Sequence, residues 1–241
     1  MKDTGFETIQ TKEASLPEQA AEQISRLIVE QHLTQEDKLP SEFELAEMLG
    51  VGRGSIREGV KLLVARNVLE IRRGKGTYIA PNPGEVPDPL GFIYYPNQFQ
   101  LSLDLAEIRL QMEPWVARMA AERAGEGDLK NLRQACCAVE QDIVAERDHS
   151  KSDVLFHVAI AECTHNLVVP KLIPIITYAI TLFVSLTESR LKAQTLVDHR
   201  EILDAICDRD AERAAKIMEC HIEYNRTLLQ EIVSKLKQDN Q

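Results

Sequence analysis

Arg53, Arg57 and Lys61 stand four residues apart in RGSIREGVKLL. On a helix they form one row of cations that can reach base edges and phosphates of duplex DNA together. Ser55 lies among them, and Arg73, Gly74 and Lys75 follow in IRRGKGTYI, a basic glycine turn between two short β-prone runs. A second set of residues has different chemistry. Asp153 and His157 are four apart in DVLFH, so both side chains leave one face of a helix and can share a cation. His199 and His221 fall in the last two helical stretches, which a bundle places beside their neighbours. Three imidazoles and one carboxylate suit Zn²⁺ above all, with Ni²⁺ or Mn²⁺ as further choices, and an ion with more than four ligands keeps positions for water or a chelating small acid. Sequence spacing alone does not make the four converge, and a single helical His is more often a surface or satisfied core residue.

The elements that must position the first set are legible. Ser41 with Glu44 three residues later is a capping-box pattern, so a short helix runs from there through Leu45, Ala46 and Leu49 to Gly50. Gly50 and Gly52 supply a turn. The next helix spans Arg53 to Arg66, with Ile56, Val60, Leu63 and Val64 on its buried side. Ser15 with Glu18, and Pro17 at a helix start, open an earlier helix whose apolar face is Ala20, Ile24, Leu27 and Ile28. Capped helix, glycine turn, cationic helix and basic wing make the order of a winged helix-turn-helix. From Val51 to Ala80 there are seven Lys/Arg against two Asp/Glu, inside a chain whose net charge is -10. Local sign marks the nucleic-acid face.

The second set needs a different frame. The stretch PNPGEVPDPLGFIYYP concentrates proline and glycine, which predicts a linker over 81–100 between a first domain, 1–80, and a second, 101–241. Helical patterns then follow one another: Leu103 to Ala124, Asp128 to Arg147, Asp153 to Cys163, Val169 to Arg190, Ala193 to Cys207 and Asp210 to Leu236. The fold class is therefore mainly α: three helices and a small β-wing, then an all-α bundle. From Pro81 onward 17 Lys/Arg face 25 Asp/Glu, a poor balance for binding DNA. The apolar run Leu167 to Thr187 approaches transmembrane length, yet it holds Pro170, Lys171 and Pro174, so a buried helix is expected. Five cysteines without a C-x-x-C pair indicate free thiols rather than disulfides or a zinc knuckle. The start MKDTGFETIQTKEAS has no apolar signal core, which favours a cytoplasmic location with no membrane partner.

The segment Leu39–Ile79 resembles the winged-helix domain of the GntR family of bacterial regulators, through its LPSE opening, Arg53, Arg57 and Glu58 in RxxxRE, and RxGxGT in the wing. That resemblance implies that Arg53 and Arg57 contact bases or backbone in the major groove, and that Arg73 and Gly74 place the wing tip on the minor groove. Three positions depart from the pattern: Phe43 stands where the family usually has an arginine, Gly52 where it has Ser or Thr, and Gly54 falls in the first turn of the recognition helix. The second half resembles the FadR-like subfamily with its all-helical FCD ligand-binding domain, through EIRLQMEPWVARMAAERA with Arg109 and Glu113, DVLFHVAIAECTHN with Asp153, His157 and Asn166, and then His199 and His221. This implies a divalent metal on Asp153, His157, His199 and His221, with Arg109 and Asn166 at an organic-acid effector. Arg109 and Glu113 also fit an ordinary i, i+4 helix pair.

The expectation is a homodimeric DNA-binding regulator and not an enzyme, a repressor of a catabolic operon, bound to an inverted-repeat operator and switched by a small carboxylate at a metal. Two other functions use the same residues. The ion itself could be the signal, or a metal-activated water could make the chain a hydrolase carrying a DNA-binding domain.

Overall fold

The computed structural model describes residues 14–187 and 190–239, and the chain forms two compact units, Met1–Pro89 and Leu90–Gln241. Most of the start that bears on localisation, residues 1–13, lies outside the described residues.

The first unit contains α1 (Leu16–Glu30), α2 (Glu42–Leu49), α3 (Arg53–Ala65), β1 (Leu69–Arg72) and β2 (Gly76–Ile79). Both expected capping boxes form. The Ser15 backbone N–H donates to Glu18 at 2.7 Å, and the Ser41 backbone N–H donates to Glu44 at 2.7 Å. Gly50 ends α2 in the left-handed region, at φ 65°, where a side chain would be strained. Gly52 caps α3 with no side-chain hydrogen bond. Ile24, Leu45, Ile56, Val60, Leu63, Leu69 and Ile79 close one core under α1, α3 and the wing. Val64 packs at its edge, only half buried. The α1–α3 contact depends on Gly59, because a Cβ there would stand 2.8 Å from the Pro17 carbonyl oxygen. The wing is an antiparallel pair with Leu69 opposite Ile79 and Arg72 opposite Gly76. Lys38 bridges to Tyr78 on its outer edge.

The second unit is helical: α4 (Gln98–Arg123), α5 (Glu126–Val144), α6 (Ser150–Glu162), α7 (Val169–Ile176), α8 (Tyr178–Leu186), α9 (Lys192–Cys207) and α10 (Ala211–Asp239). The proline-rich stretch is not linker to its end. Phe92 is buried against Leu101, Leu105, Ala179 and Leu182 in a short 3-10 turn, and α4 already begins at Gln98. Irregular chain covers residues 80–91 and, after the 3-10 turn, 95–97. The single helix expected from Val169 to Arg190 is two helices, broken at Thr177, and positions 188 and 189 lie outside the described residues. Pro174 has no N–H to donate, and the Thr177 hydroxyl donates to the Ile173 carbonyl at 2.7 Å, beside the Thr177 backbone N–H at 2.9 Å. The Ile180 N–H then bonds back only three residues, to Thr177, at 2.8 Å. Val169–Leu186 is apolar and long enough to pass as a membrane span, yet Ile173, Ile176, Ile180 and Phe183 are buried within the unit.

α4 packs lengthwise on α10, and Arg118 of α4 pairs with Glu212 near one end of that contact. α6 and α9 lie against α4 as well. The result carries polar residues into the bundle: Arg109 and Glu113 from α4, Asp153 and His157 from α6, His199 from α9 and His221 from α10 are all buried.

Candidate functional site

α3 presents its cations outward because Ile56, Gly59, Val60 and Leu63 fix its other side in the core. Arg53, Arg57 and Lys61 are exposed, and Ser55 is half buried. Arg57 donates to Glu42 of α2 from Nε at 3.1 Å and from Nη2 at 3.0 Å, which drives its pKa above the ordinary guanidinium value. Lys61 pairs with Glu58 at 2.8 Å. In the wing, Gly74 turns the chain at φ 73°, and Arg73, Gly74 and Lys75 are exposed at the tip. Arg72 belongs to the wing's frame: it pairs with Glu70 and lies 4.2 Å over the Tyr78 ring. Phe43, at one of the departing positions, is 54% exposed and leaves an apolar ring on this face.

The second site is built by four helices. One nitrogen from each of His157, His199 and His221 lies within 4.8 Å of the other two. Asp153 Oδ1 is 3.4 Å from His157 Nε2 and 3.5 Å from His199 Nε2. Donor atoms about 2.1 Å from a tetrahedral zinc stand about 3.4 Å apart, so these spacings suit an ion better than they suit hydrogen bonds. Asp153 Oδ1, His157 Nε2 and both nitrogens of His199 are buried with no hydrogen-bond partner. Orphaned buried acceptors are costly in a native core, and a shared cation would satisfy Asp153 Oδ1, His157 Nε2 and one nitrogen of His199 together.

Carboxylates behind two of the imidazoles orient them. His157 Nδ1 meets Glu113 Oε2, and His221 Nδ1 lies 3.1 Å from Asp198 Oδ2. An Nδ1–H given to a carboxylate leaves the Nε2 lone pair facing the centre, the usual support for a metal-binding His. Glu113 also accepts from Arg109 Nε at 2.5 Å. Burial pushes the Glu113 pKa up, but the Arg109 guanidinium and His157 outweigh it and bring it to about 2. Burial likewise works against Asp153, yet His199 and His157 hold its carboxyl below the usual range. Burial drives His199 well below its ordinary value. Burial lowers His157 too, but Glu113 and Asp153 more than offset it, and its pKa is raised. A divalent cation needs an ionised carboxylate beside imidazoles with free lone pairs, so His157 has to give up its proton to the ion.

Arg109 is 2% exposed, and its Nη2 has no partner while Nε serves Glu113. The pair expected on the helix therefore forms and still leaves a free donor in the interior. Asn166 is differently engaged: its Oδ1 accepts from the backbone N–H of Val168 at 2.8 Å and of Val169 at 3.1 Å, capping α7. Three further polar residues belong to this region. Glu113 was visible only as a partner of Arg109, and Asp198 only as the residue before His199. His149, four residues before Asp153, is buried with an unpaired Nδ1, and burial lowers its pKa. Its spacing to Asp153 repeats the spacing of Asp153 to His157 and is the one signal that could have found it.

Comparison with known proteins assigns both segments. Residues 16–79 match the family model described as bacterial regulatory proteins, gntR family, and residues 104–224 match the FCD domain. A protein of Escherichia coli (strain K12) assigned as an L-lactate dehydrogenase operon regulatory protein is 32% identical over 89% of this chain and 86% of its own length. The galactonate operon transcriptional repressor of the same organism is 30% identical over 75% of this chain and 83% of its own. Among solved structures, a Streptococcus agalactiae GntR protein is 37% identical, covers 88% of this chain and 99% of its own, and superposes with a TM-score of 0.76. These are regulators of transcription, which removes the hydrolase alternative.

Proposed function

This chain belongs to the gntR family of bacterial regulatory proteins and carries an FCD domain, and on that premise we propose that it is a metal-dependent, organic-acid-responsive repressor. Its first unit is a DNA-binding winged helix-turn-helix. It works in the cytoplasm as a homodimer on an inverted-repeat operator, because two copies of one reading head call for two half-sites. Arg53, Ser55, Arg57 and Lys61 on α3 and Arg73, Gly74 and Lys75 on the wing tip make the contacts.

The effector site is Asp153, His157, His199 and His221 holding a divalent ion, most suitably Zn²⁺, with Arg109 beside them. A bound ion supplies a Lewis-acidic position that a carboxylate oxygen can take. Arg109 keeps Nε on Glu113 and turns Nη2 to the acid, Glu113 and Asp198 fix the imidazole tautomers, and the packed helices exclude water. The observation that carries the reading is the buried Nη2 of Arg109, a donor without a hydrogen-bond partner although Nε is held by Glu113. Two relatives bear the names of L-lactate and galactonate, both small hydroxy carboxylates, and they support an acid of that class. The galactonate relative, named a repressor, supports repression.

A thermal-shift screen of the metal-loaded protein against organic acids tests this. A tight effector at about 100 times its Kd stabilises the fold by about 2.7 kcal/mol. The stabilisation should vanish when a chelator removes the metal. An acid that stabilises equally without the metal counts against the site.

A further inference from the structure

The DNA-facing surface carries its own carboxylates. Glu42 holds Arg57, Glu58 holds Lys61 and Glu70 holds Arg72, whereas Arg53, Arg73 and Lys75 have no such partner among the described residues. The first pair differs from the other two. Glu58 and Lys61 share one helical turn, and Glu70 and Arg72 share one strand, but Glu42 opens α2 while Arg57 lies on α3, 15 residues on. The contact therefore joins the two helices of the helix-turn-helix at its outer surface. It also uses one edge of the guanidinium, Nε and Nη2, leaving the N–H groups of Nη1 and the second of Nη2 directed elsewhere.

That geometry treats the two kinds of DNA acceptor differently. A phosphate brings a negative charge against Glu42 and competes for the same guanidinium, so contact with it requires the pair to break or the two anions to crowd together. A guanine edge is neutral and accepts through O6 and N7, which the Nη1/Nη2 edge can meet while Glu42 keeps Nε. We propose that Glu42 is a specificity-determining residue: it masks Arg57 toward phosphates and aims the remaining guanidinium edge at a guanine. The proposal rests on the reading of α3 as the recognition helix. Of these three carboxylate pairs, Glu42–Arg57 is the one that joins two elements, so here the carboxylate that directs the cation is placed by the packing of α2 on α3.

The test uses the full chain and two labelled duplexes, a random-sequence pool and the duplex that the wild-type protein enriches from it. Glu42→Gln should bind the random pool several-fold more tightly, with a salt dependence steeper by about one phosphate contact. Binding to the enriched duplex should gain less, so the specificity ratio falls. In an Arg57→Ala background the same substitution should leave the ratio unchanged, since the effect passes through that pair. An unchanged ratio in the single variant overturns the proposal, as does an equal change with and without Arg57. Enrichment of no duplex by the wild-type protein overturns the recognition-helix reading itself. Both side chains are at the surface, with 53% and 35% exposure, and thermal melting of each variant verifies that it is folded.

Discussion

The proposed metal site rests on a relay of buried charges, Arg109 to Glu113 to His157, in which each group fixes the next. Glu113→Gln keeps the shape but removes the anion that sets the His157 tautomer, so metal affinity should fall about 10- to 100-fold in competition with a chromogenic chelator. Unchanged affinity would leave Glu113 as mere support for Arg109. The same relay gives a pH dependence. Because the His157 pKa is raised, this imidazole keeps its proton to a higher pH than a free one, and the proton must leave before Nε2 can serve as a ligand. Affinity therefore rises with pH through the raised His157 value and is lost below it. Calorimetry in buffers of different ionisation enthalpy should detect the released proton at acidic pH. Much of this was legible at the residue level, since Asp153 and His157 are one turn apart and the other two imidazoles fall in helical stretches. Their orienting carboxylates were not. Glu113 meets His157 across 44 residues, and Asp198 meets His221 across 23, distances over which spacing carries no signal. Asn166 has a local task that spacing does not reveal: its Oδ1 accepts from the backbone N–H groups of Val168 and Val169 at the start of α7.

Two glycines of α3 separate the demands of packing from those of helix formation. A Cβ at Gly54 meets nothing within 4 Å, whereas one at Gly59 meets the Pro17 carbonyl at 2.8 Å and Ala20 Cβ at 3.2 Å. Gly54→Ala should stabilise the domain by about 0.5 to 1 kcal/mol, because alanine has less backbone entropy to lose. Gly59→Ala should destabilise it by about 1 to 3 kcal/mol through overpacking of α1 on α3. Thermal unfolding of the two variants decides, and equal shifts would mean that α1 does not press on α3 at Gly59. At the wing, Arg73→Ala should reduce affinity for DNA and lower its salt slope by about one, with the melting temperature retained. The sequence marked these helices by caps and periodicity and marked the wing by its glycines. It overran at α7 and α8, because an apolar run long enough for one helix hides a break at Thr177, where the hydroxyl shares the Ile173 carbonyl with the backbone N–H and the Ile180 N–H bonds back only three residues.

For the whole molecule, charge and burial divide the work between two units. The basic face lies in the first, and the buried donor set lies in the second. An effector can act on DNA only through a difference in its affinity for two states of the protein, a coupling typically of about 1 to 3 kcal/mol. The acid that stabilises the metal-loaded protein can be titrated against the duplex enriched by the same protein, with binding followed by fluorescence anisotropy. The account predicts an affinity change of about 5- to 150-fold, lost after metal removal. An acid that stabilises the fold through the metal but leaves DNA affinity unaltered would contradict it.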